Sequence, residues 1–381
     1  GLCVTFTAIT RIVHELDEAK LTLGVAAKAD KSNKMGRRPS YVALNKSLGI
    51  VCGVDLSGQD ISIALAGLDL EILCEATLED HALIDPPVLE EVMKTIEKLL
   101  ASPKTKGLPL VEICISTPGK LDQNGDFIFA KRFPDYPDIH LKAMFSERFH
   151  VKVDVYRDVK MGLVGERVFG NVPKEDNDIF FAYIDRGAGS SMLLNGHLYG
   201  GAHGLSGEVN ALAPVDELTQ GSLNGSFYTL TDIHQDVKAR LVNTPDHPLK
   251  GLEHFHTPDL AALYEQGDPL VCGALEKSAR YNAIALLSFV NLLDVEDVVI
   301  QGRIVMFGEK YRSLLEHYFT LYDLNHNTAR ILFSSLKGKA NVLGAVYQGT
   351  NLFYLRQFGE LTAKRTGSRD YVVSEHFGDN L

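Results

Sequence analysis

The stretch that follows residue 47 restricts the fold more than any other part of the sequence, because its strands and helices come in a fixed order. LGIVCGVDLSGQDISIALAGLDLEIL contains two β-rich runs with Asp55 at the turn between them. Residues 86–101 have the apolar spacing of a helix, and VEICISTPG has the composition of a strand that ends in a Pro-Gly turn. A hairpin follows on Asn124 and Gly125. No G-x-G-x-x-G follows the first strand, so the order predicts an α/β fold and disfavours a dinucleotide-binding one.

Composition indicates a soluble globular protein with a basic beginning. The chain has 381 residues, of which 45% are hydrophobic and 23% charged, and this length suffices for two or three domains. Its net charge is −11, so the molecule as a whole is not suited to binding nucleic acid. Residues 1–46 hold eight Lys and Arg against four Asp and Glu, which leaves −15 for the remainder. This asymmetry predicts a basic module on an acidic body.

Cysteine usage and the lengths of apolar runs both bear on localisation. No two cysteines have C-x-x-C spacing, and we expect buried free thiols in a reducing cytosol. No apolar run approaches the roughly 18 residues that cross a membrane, and no signal peptide is evident. A cytoplasmic protein without membrane contact is therefore expected. The cysteines are Cys3, Cys52, Cys74, Cys114 and Cys272.

The first segment, GLCVTFTAITRIVHELDEAKLTLG, has the pattern of an amphipathic helix. Thr5 is a candidate N-cap, and apolar side chains recur at helical spacing. The apolar positions are Ile9, Ile12, Val13 and Leu16. The early polar face carries side-chain types that contact phosphates and base edges when a recognition helix enters a major groove. These polar residues are Thr7, Thr10, Arg11 and His14. The alternative, the solvated face of a small helical cap, stays open.

A basic hairpin is predicted directly after this helix. LTLGVAAKADKSNKMGRRPSYVALN has two short β-like runs joined by a polar tip that includes Arg37 and Arg38. Helix and hairpin together resemble the second half of the winged helix-turn-helix in repressors of the ROK family (repressors, open reading frames and sugar kinases), where a GRRP-type wing follows the recognition helix. The resemblance implies a partial winged helix-turn-helix over residues 1–46 that binds operator DNA, with Arg37 and Arg38 among its contacts.

The turn at Asp55 resembles the first phosphate loop of actin-like sugar kinases, which reads D-x-G-x-T. Asp55 is kept and Gly58 follows it, but Ser57 stands where the motif has its glycine. The resemblance implies an actin-like (ribonuclease H-like) α/β ATPase fold with two lobes, the fold shared by sugar kinases, actin and heat-shock chaperones. The expected lobes are residues 47–160 and 161–381.

VDVYRDVKMGLVGERVFG resembles the strand end that reads N-D-x-N in ROK sugar kinases. There the aspartate accepts the proton of the sugar hydroxyl that attacks the γ-phosphate, and Asp158 keeps this position. Arg157 and Lys160 replace the two asparagines, and the alternative is that they neutralise Asp158 in an ion pair. Another asparagine of the family contacts the sugar, and Arg132 is the residue available in that stretch of this chain.

Two later turns resemble the nucleotide-binding turns of the family but have lost glycines. YIDRGAGSSMLLNG resembles G-T-G-x-G, in which unobstructed backbone N–H groups surround a phosphate. Gly187 and Gly189 remain, whereas Asp185 and Arg186 replace the first glycine and the threonine. An aspartate there opposes a polyphosphate, so weak ATP binding is expected. In VEDVVIQGRIV, Gly302 remains but is flanked by glutamine and arginine where glycines are expected.

HGLSGEVNALAPV resembles the G-E-x-G-H segment of the family, whose glutamate binds the sugar and whose histidine binds the sugar and a structural zinc. Gly207 and Glu208 remain, but Asn210 and Ala211 replace the glycine and the histidine. The QGSLNGSF stretch that follows contains none of the cysteines that complete the metal site in the family. Zinc needs about four nitrogen or sulfur ligands. No metal site is therefore expected.

The motifs that bind nucleotide and zinc in the family are altered in this sequence, whereas those that bind the sugar are kept. Both phosphate loops, the nucleotide turn and the zinc cluster are eroded, whereas the sugar-side elements persist. We therefore expect a sugar-responsive transcriptional regulator, a repressor of carbohydrate-utilisation genes, that binds operator DNA as a homodimer and has no cofactor and no kinase activity. The expected sugar-binding residues are Pro118, Gly119, Arg132, Asp158 and Glu208. A sugar between the lobes would favour one lobe angle, because an effector shifts an equilibrium only by binding its two states differently.

Two alternatives to the regulator stay open. An active ROK kinase would phosphorylate a hexose or an amino sugar with ATP and magnesium, using Asp158 as the general base. A binding module for a phosphorylated or acidic compound would instead use a basic pocket made of Arg132, Arg157 and Lys160.

Overall fold

The structure, a computed structural model, describes residues 5–25, 41–122, 124–202, 204–209, 227–252 and 255–366. These residues form two compact units. The first contains the described residues of Gly1–Ile115, Lys131–Val155 and Val346–Gly378, and the second contains those of Ser116–Ala130 and Tyr156–Ala345. The units differ from the continuous lobes expected from the sequence, because the chain enters each unit more than once.

The N-terminal segment forms the predicted helix and the predicted pair of strands. Helix α1 (Phe6–Glu18) begins after Thr5, whose Oγ1 accepts a hydrogen bond from the Ala8 amide at 3.3 Å. Strand β1 (Thr22–Val25) pairs antiparallel with β2 (Tyr41–Leu44). Ile9 and Ile12 belong to the predicted apolar face but are 50% and 46% exposed. The described residues therefore leave part of that face uncovered.

A five-stranded sheet with its helices makes up most of the first unit. The elements that follow β2 are β3 (Ile50–Asp55), β4 (Ile61–Gly67), β5 (Ile72–Leu78), α2 (Pro86–Leu100), β6 (Leu110–Thr117), the short strands β7 (Lys120–Leu121) and β8 (Phe127–Phe129), α3 (Leu141–Phe149) and β9 (Lys152–Arg157). The sheet has the order β5-β4-β3-β6-β9, and β7 and β8, which belong to the second unit, form a separate antiparallel hairpin. Strand β3 is buried at every position, which explains its nearly unbroken apolar sequence.

A second five-stranded sheet organises the second unit. The elements that follow β9 are α4 (Asp158–Phe169), β10 (Ile179–Ile184), β11 (Ala188–Leu194), β12 (His197–Leu198), α5 (Leu230–Leu241), α6 (Thr257–Glu265), α7 (Pro269–Leu293), β13 (Asp297–Gln301), α8 (Gly308–Tyr322), β14 (Arg330–Phe333) and α9 (Ala340–Thr366). The sheet has the order β12-β11-β10-β13-β14. Helix α4 packs against β10, β11 and β13. The start of α4 lies beside the start of β11, since a Cβ at Gly189 would lie 2.8 Å from the Val159 side chain.

The two sheets share one topology. In each, three successive strands pair antiparallel, and two further strands join on the side of the first, with helices in the connections. This repeated arrangement is the one expected of an actin-like fold. The α/β, actin-like prediction is therefore confirmed, and the hairpin predicted at Asn124 and Gly125 is also present as β7 and β8.

The part of the chain that the structure describes contains four cysteines, all of them free thiols. Cys52 and Cys114 are buried, and Cys74 and Cys272 are partly buried. No helix of that part is both long and apolar enough to cross a membrane.

Candidate functional site

Asp158 is the first residue of α4 and follows directly on the last residue of β9. Its Oδ1 accepts a hydrogen bond from the Val159 amide at 2.8 Å. A carboxylate in the first turn of a helix is stabilised by the exposed N–H groups and the helix dipole. The side chain is partly buried, so it has the setting of a carboxylate that can meet a ligand hydroxyl.

Glu208 is brought to the start of α4 by an ion pair. Nη2 of Arg157 lies 2.5 Å from Oε1 of Glu208, and Nη1 of Arg157 donates to the Ser206 carbonyl at 3.3 Å. The Arg157 and Glu208 side chains are only 12% and 21% exposed. Asp158 and Glu208, the two carboxylates predicted to bind sugar, therefore approach the same region of the second unit through Arg157. The sequence predicted Arg157 either as a partner of Asp158 or as part of a basic pocket, and it did not predict the pair with Glu208.

Pro118 and Gly119 form the turn between β6 and β7. Gly119 has φ +114°, and a Cβ there would lie 2.8 Å from the Phe129 carbonyl oxygen. Only glycine fits such a turn without strain. The backbone alone thus accounts for glycine at this position, and a sugar contact of Pro118 and Gly119 stays a prediction.

Arg132 joins two turns of the first unit. Its Nη1 donates to the carbonyls of Leu56 at 2.6 Å and Gly58 at 2.5 Å, its Nε donates to the Ala82 carbonyl at 3.3 Å, and its Nη2 donates to the His81 carbonyl. The guanidinium thus serves four backbone acceptors. This placement groups Arg132 with the Asp55 turn, and a sugar contact of Arg132 stays a prediction.

Arg132→Gln is expected to lower the free energy of unfolding by about 2–3 kcal/mol, because the carbonyls would lose a charged donor that a shorter amide cannot replace. Urea unfolding followed by circular dichroism measures the change. Lys131→Gln is the matched control, since Lys131 is exposed and adjacent, and it should change stability by no more than about 0.5 kcal/mol. Equal stability of the two variants would show that Arg132 is not a structural link.

Asp55 lies in the turn that resembles the first phosphate loop, and it is only 5% exposed. Its Oδ1 accepts hydrogen bonds from the Ser57 amide at 3.1 Å and from Ser57 Oγ at 2.7 Å. The residue that replaces the expected glycine therefore engages this carboxylate. Asp55 and Gly58 are brought together with Arg132 and serve to shape the turn.

Asp185 and Arg303 connect the two turns that resemble nucleotide-binding turns. The Asp185 carboxylate accepts hydrogen bonds from Arg303 Nη2 at 2.5 Å, from Arg303 Nε at 3.0 Å and from the Arg303 amide at 3.1 Å. Burial alone would raise the pKa of Asp185, but the hydrogen bonds and charge of Arg303 outweigh it and hold the pKa below its usual range. The aspartate that the sequence sets against a phosphate is thus neutralised by an arginine of the neighbouring turn.

The glycines retained in these two turns have different surroundings. Gly302 has φ +103°, and a Cβ there would overlap the Ile184 carbonyl oxygen. A Cβ at Gly189 would lie 2.8 Å from the Val159 side chain, whereas one at Gly187 would meet open space. Gly302 is therefore required by its backbone conformation and close packing, a side chain at Gly189 would displace Val159, and of the three only Gly187 keeps the unobstructed backbone of a phosphate loop.

The predicted DNA-binding side chains of α1 are exposed. Arg11 lies 3.7 Å from Glu15, and His14 lies 3.8 Å from Glu18, each one helical turn along. Such exposed ion pairs are weak, so the Arg11 and His14 side chains stay available to a DNA phosphate. Thr7 and Thr10 are exposed on the same helix. The predicted contacts Arg37 and Arg38 lie outside the described residues.

In the part of the chain that the structure describes, no group of three or more His, Cys, Asp and Glu side chains is arranged to hold a metal ion. Asn210 and Ala211, which replace the glycine and histidine of the zinc motif, lie outside the described residues.

Sequence comparison relates the chain to known regulators. The sequence model of the ROK family matches residues 51–222. The xylose repressor of Bacillus spizizenii is 27% identical over 317 residues, which cover 81% of this chain and 79% of the repressor. The DNA-binding transcriptional dual regulator NagC of Escherichia coli is 22% identical over 302 residues, which cover 78% of this chain and 73% of NagC.

Structural comparison finds the same fold in regulators and kinases. A ROK family transcriptional regulator, a homologue of the E. coli Mlc protein, superposes with a TM-score of 0.75 at 21% identity, covering 96% of this chain and 92% of the other. A ROK family glucokinase from Streptomyces griseus, solved with glucose and AMPPNP, gives a TM-score of 0.66 at 21% identity, covering 79% of this chain and 99% of the kinase. Because both classes share the fold, the choice between them depends on the site.

Proposed function

We propose that the chain, which matches the ROK family model over residues 51–222, is a sugar-responsive transcriptional regulator of that family whose kinase-like domain no longer binds nucleotide. The observation that carries this proposal is the ion pair between Asp185 and Arg303. A phosphate loop needs open backbone N–H groups, whereas here a carboxylate and a guanidinium join the two turns where a nucleotide phosphate would bind. The carboxylates on the sugar side, Asp158 and Glu208, are retained.

The similarity to named regulators supports the regulatory half of the proposal. The relatives include xylose repressors and NagC, whose names describe control of transcription and, for the repressors, a sugar. In this chain, operator DNA would be bound by α1 and by the wing that β1 and β2 begin. A homodimer is proposed because palindromic operators have the same two-fold symmetry as the protein dimers that bind them.

The proposed mechanism uses Asp158 and Glu208 to recognise a sugar. Both are acceptors for neighbouring sugar hydroxyls, and hydrogen bonds to charged groups contribute about 1.5–3 kcal/mol each. The sugar would bind more tightly to one of two conformations that differ in affinity for operator DNA. Only this difference in affinity can couple sugar binding to DNA binding.

Thermal unfolding with a panel of ligands tests this function. We expect one class among neutral sugars, amino sugars, sugar acids and phosphosugars to stabilise the protein, with no added effect of magnesium-ATP. A ligand at about 100 times its Kd should add roughly 2.7 kcal/mol to the free energy of unfolding. An electrophoretic mobility shift with operator DNA should then change with that sugar. A DNA shift insensitive to every sugar in the panel would contradict the proposal.

An active sugar kinase is the second candidate, and the retention of Asp158 at the start of α4 favours it. A kinase would release ADP continuously in the presence of sugar, and Asp158→Asn would abolish this turnover. Stabilisation by magnesium-ATP together with a sugar would point the same way. Either result would contradict a regulator without kinase activity and would support a sugar kinase.

A further inference from the structure

Arg157 connects the end of β9 to the loop that carries Glu208. It is the last residue of β9, and its guanidinium reaches the loop made of residues 199–202 and 204–209, which we call the Glu208 loop. Two nitrogens of this guanidinium contact two positions of the loop, the Glu208 carboxylate at 2.5 Å and the Ser206 carbonyl at 3.3 Å. One side chain thus fixes both the backbone of the loop and its carboxylate.

The Glu208 loop has few other connections to the unit among its described residues, one of them the bond that the Tyr199 amide donates to the Met192 carbonyl on β11 at 3.0 Å. Ser190 on β11 donates to the Gly207 carbonyl through Oγ at 3.1 Å and through its amide at 3.2 Å. Val209 is 3% exposed and anchors the end of the loop in the core. The bond from Ser206 Oγ to the Tyr199 carbonyl, at 2.5 Å, is internal to the loop. Of the described ties, the one from Arg157 is the one that holds the carboxylate itself.

Burial makes this contact strong and sensitive to geometry. Arg157 is 12% exposed and Glu208 21%, so both charges are largely removed from water, and breaking the pair would leave one of them without a partner. The planar guanidinium supplies two donors in a fixed arrangement, whereas a lysine ammonium is a single point charge. Nε of Arg157 is buried without a hydrogen-bond partner among the described residues, a cost that the two Nη contacts offset.

We propose that Arg157 is a positioning residue for the effector: it holds Oε1 of Glu208 and so presents Oε2 to a sugar hydroxyl. This inference rests on the proposed sugar-binding function and adds the residue that sets the affinity and the selectivity of the site. Because the pair also neutralises the carboxylate, Glu208 binds a neutral hydroxyl group and does not attract a cationic ligand. Arg157 acts through Glu208 without itself needing to touch the sugar.

The test compares wild type with Arg157→Gln, Arg157→Lys and the control Arg280→Gln. Arg280 lies on α7 in an exposed pair with Glu276, at 3.4 Å, with side chains 53% and 50% exposed. Amide hydrogen exchange of peptides that cover residues 199–209 reports on the loop. Titration with the sugar panel, at a temperature where every variant is folded, gives the Kd for each sugar.

We expect Arg157→Gln to increase exchange in the Glu208 loop about tenfold and to weaken sugar binding about tenfold, in line with the loss of one charged hydrogen bond. It should also reduce the discrimination between sugars. Arg157→Lys should lie between Gln and wild type, and Arg280→Gln should match wild type. Unchanged exchange in Arg157→Gln, or a lower melting temperature with an unchanged Kd, would overturn the inference. If wild type bound no sugar in the panel, the proposed function would fail, and exchange alone would decide whether Arg157 holds the loop.

Discussion

Gly344→Ala is expected to lower the free energy of unfolding by about 3 kcal/mol or more. A methyl group at Gly344 on α9 would overlap the Met161 carbonyl oxygen on α4, and one at Gly165 on α4 would overlap the Ala340 carbonyl oxygen on α9. The two helices therefore touch backbone to backbone at a reciprocal pair of glycines. Backbone atoms cannot rotate away as a side chain can, so the helices would have to separate and lose packing on both sides. Urea unfolding measures the loss.

Gly349→Ala is the matched control on the same helix. A Cβ there would lie 3.4 Å from Cys114 Cβ and 3.5 Å from Glu112 Cγ, which is ordinary van der Waals contact. Alanine is favoured over glycine inside a helix by about 1 kcal/mol, so this variant should be neutral or more stable. Equal destabilisation of the two variants would mean that the helix crossing is not the cause. Because α4 begins at Asp158, Gly344→Ala should also weaken the response to sugar.

Arg303→Ala is expected to lower the free energy of unfolding by about 2 kcal/mol. It leaves Asp185, whose side chain is 10% exposed, without its main partner, and an unpaired buried charge is costly. The expected loss is below that of a fully buried pair, because the Arg303 side chain is 41% exposed. Lys94→Ala removes an exposed pair with Glu90, whose side chains are 60% and 40% exposed, and should change stability by no more than about 0.5 kcal/mol. If Arg303→Ala behaved like this control, the pair would not connect the two turns.

The pH dependence of this variant has a definite sign. The pKa of Asp185 in the folded protein lies below its usual range, so the pair stabilises the fold above the pKa of the unfolded chain and ceases to do so as the pH falls through the folded value. The stability difference between wild type and Arg303→Ala should therefore be largest near neutral pH and shrink below about pH 4. Chemical unfolding at several pH values measures it. A difference that grew in acid would contradict the assigned ion pair.

Several elements could be predicted from the sequence because their signals are local. The cap at Thr5, the hairpin at Asn124 and Gly125 and the continuous apolar run of β3 depend on residues a few positions apart, and the structure contains all three. The order of strands and helices predicted an α/β fold, and the resemblance to the turns of sugar kinases implied that it is actin-like. The exposure of Ile9 and Ile12 shows the limit of such signals, since a helical period identifies an apolar face without saying what covers it.

The contacts of the candidate site could not be predicted from the sequence, because its ion pairs and hydrogen bonds join residues far apart in the chain. Asp185 and Arg303 are separated by 118 positions, and Arg132 and Leu56 by 76. The sequence did not predict that Asp185 pairs with Arg303, that Arg132 links two turns of the backbone, or that Arg157 holds Glu208. The sequence by itself determined the elements named above and their order, because local periodicity and turn chemistry encode them. Only the folded chain decided which charges meet, because that depends on how strands and helices bring distant turns together.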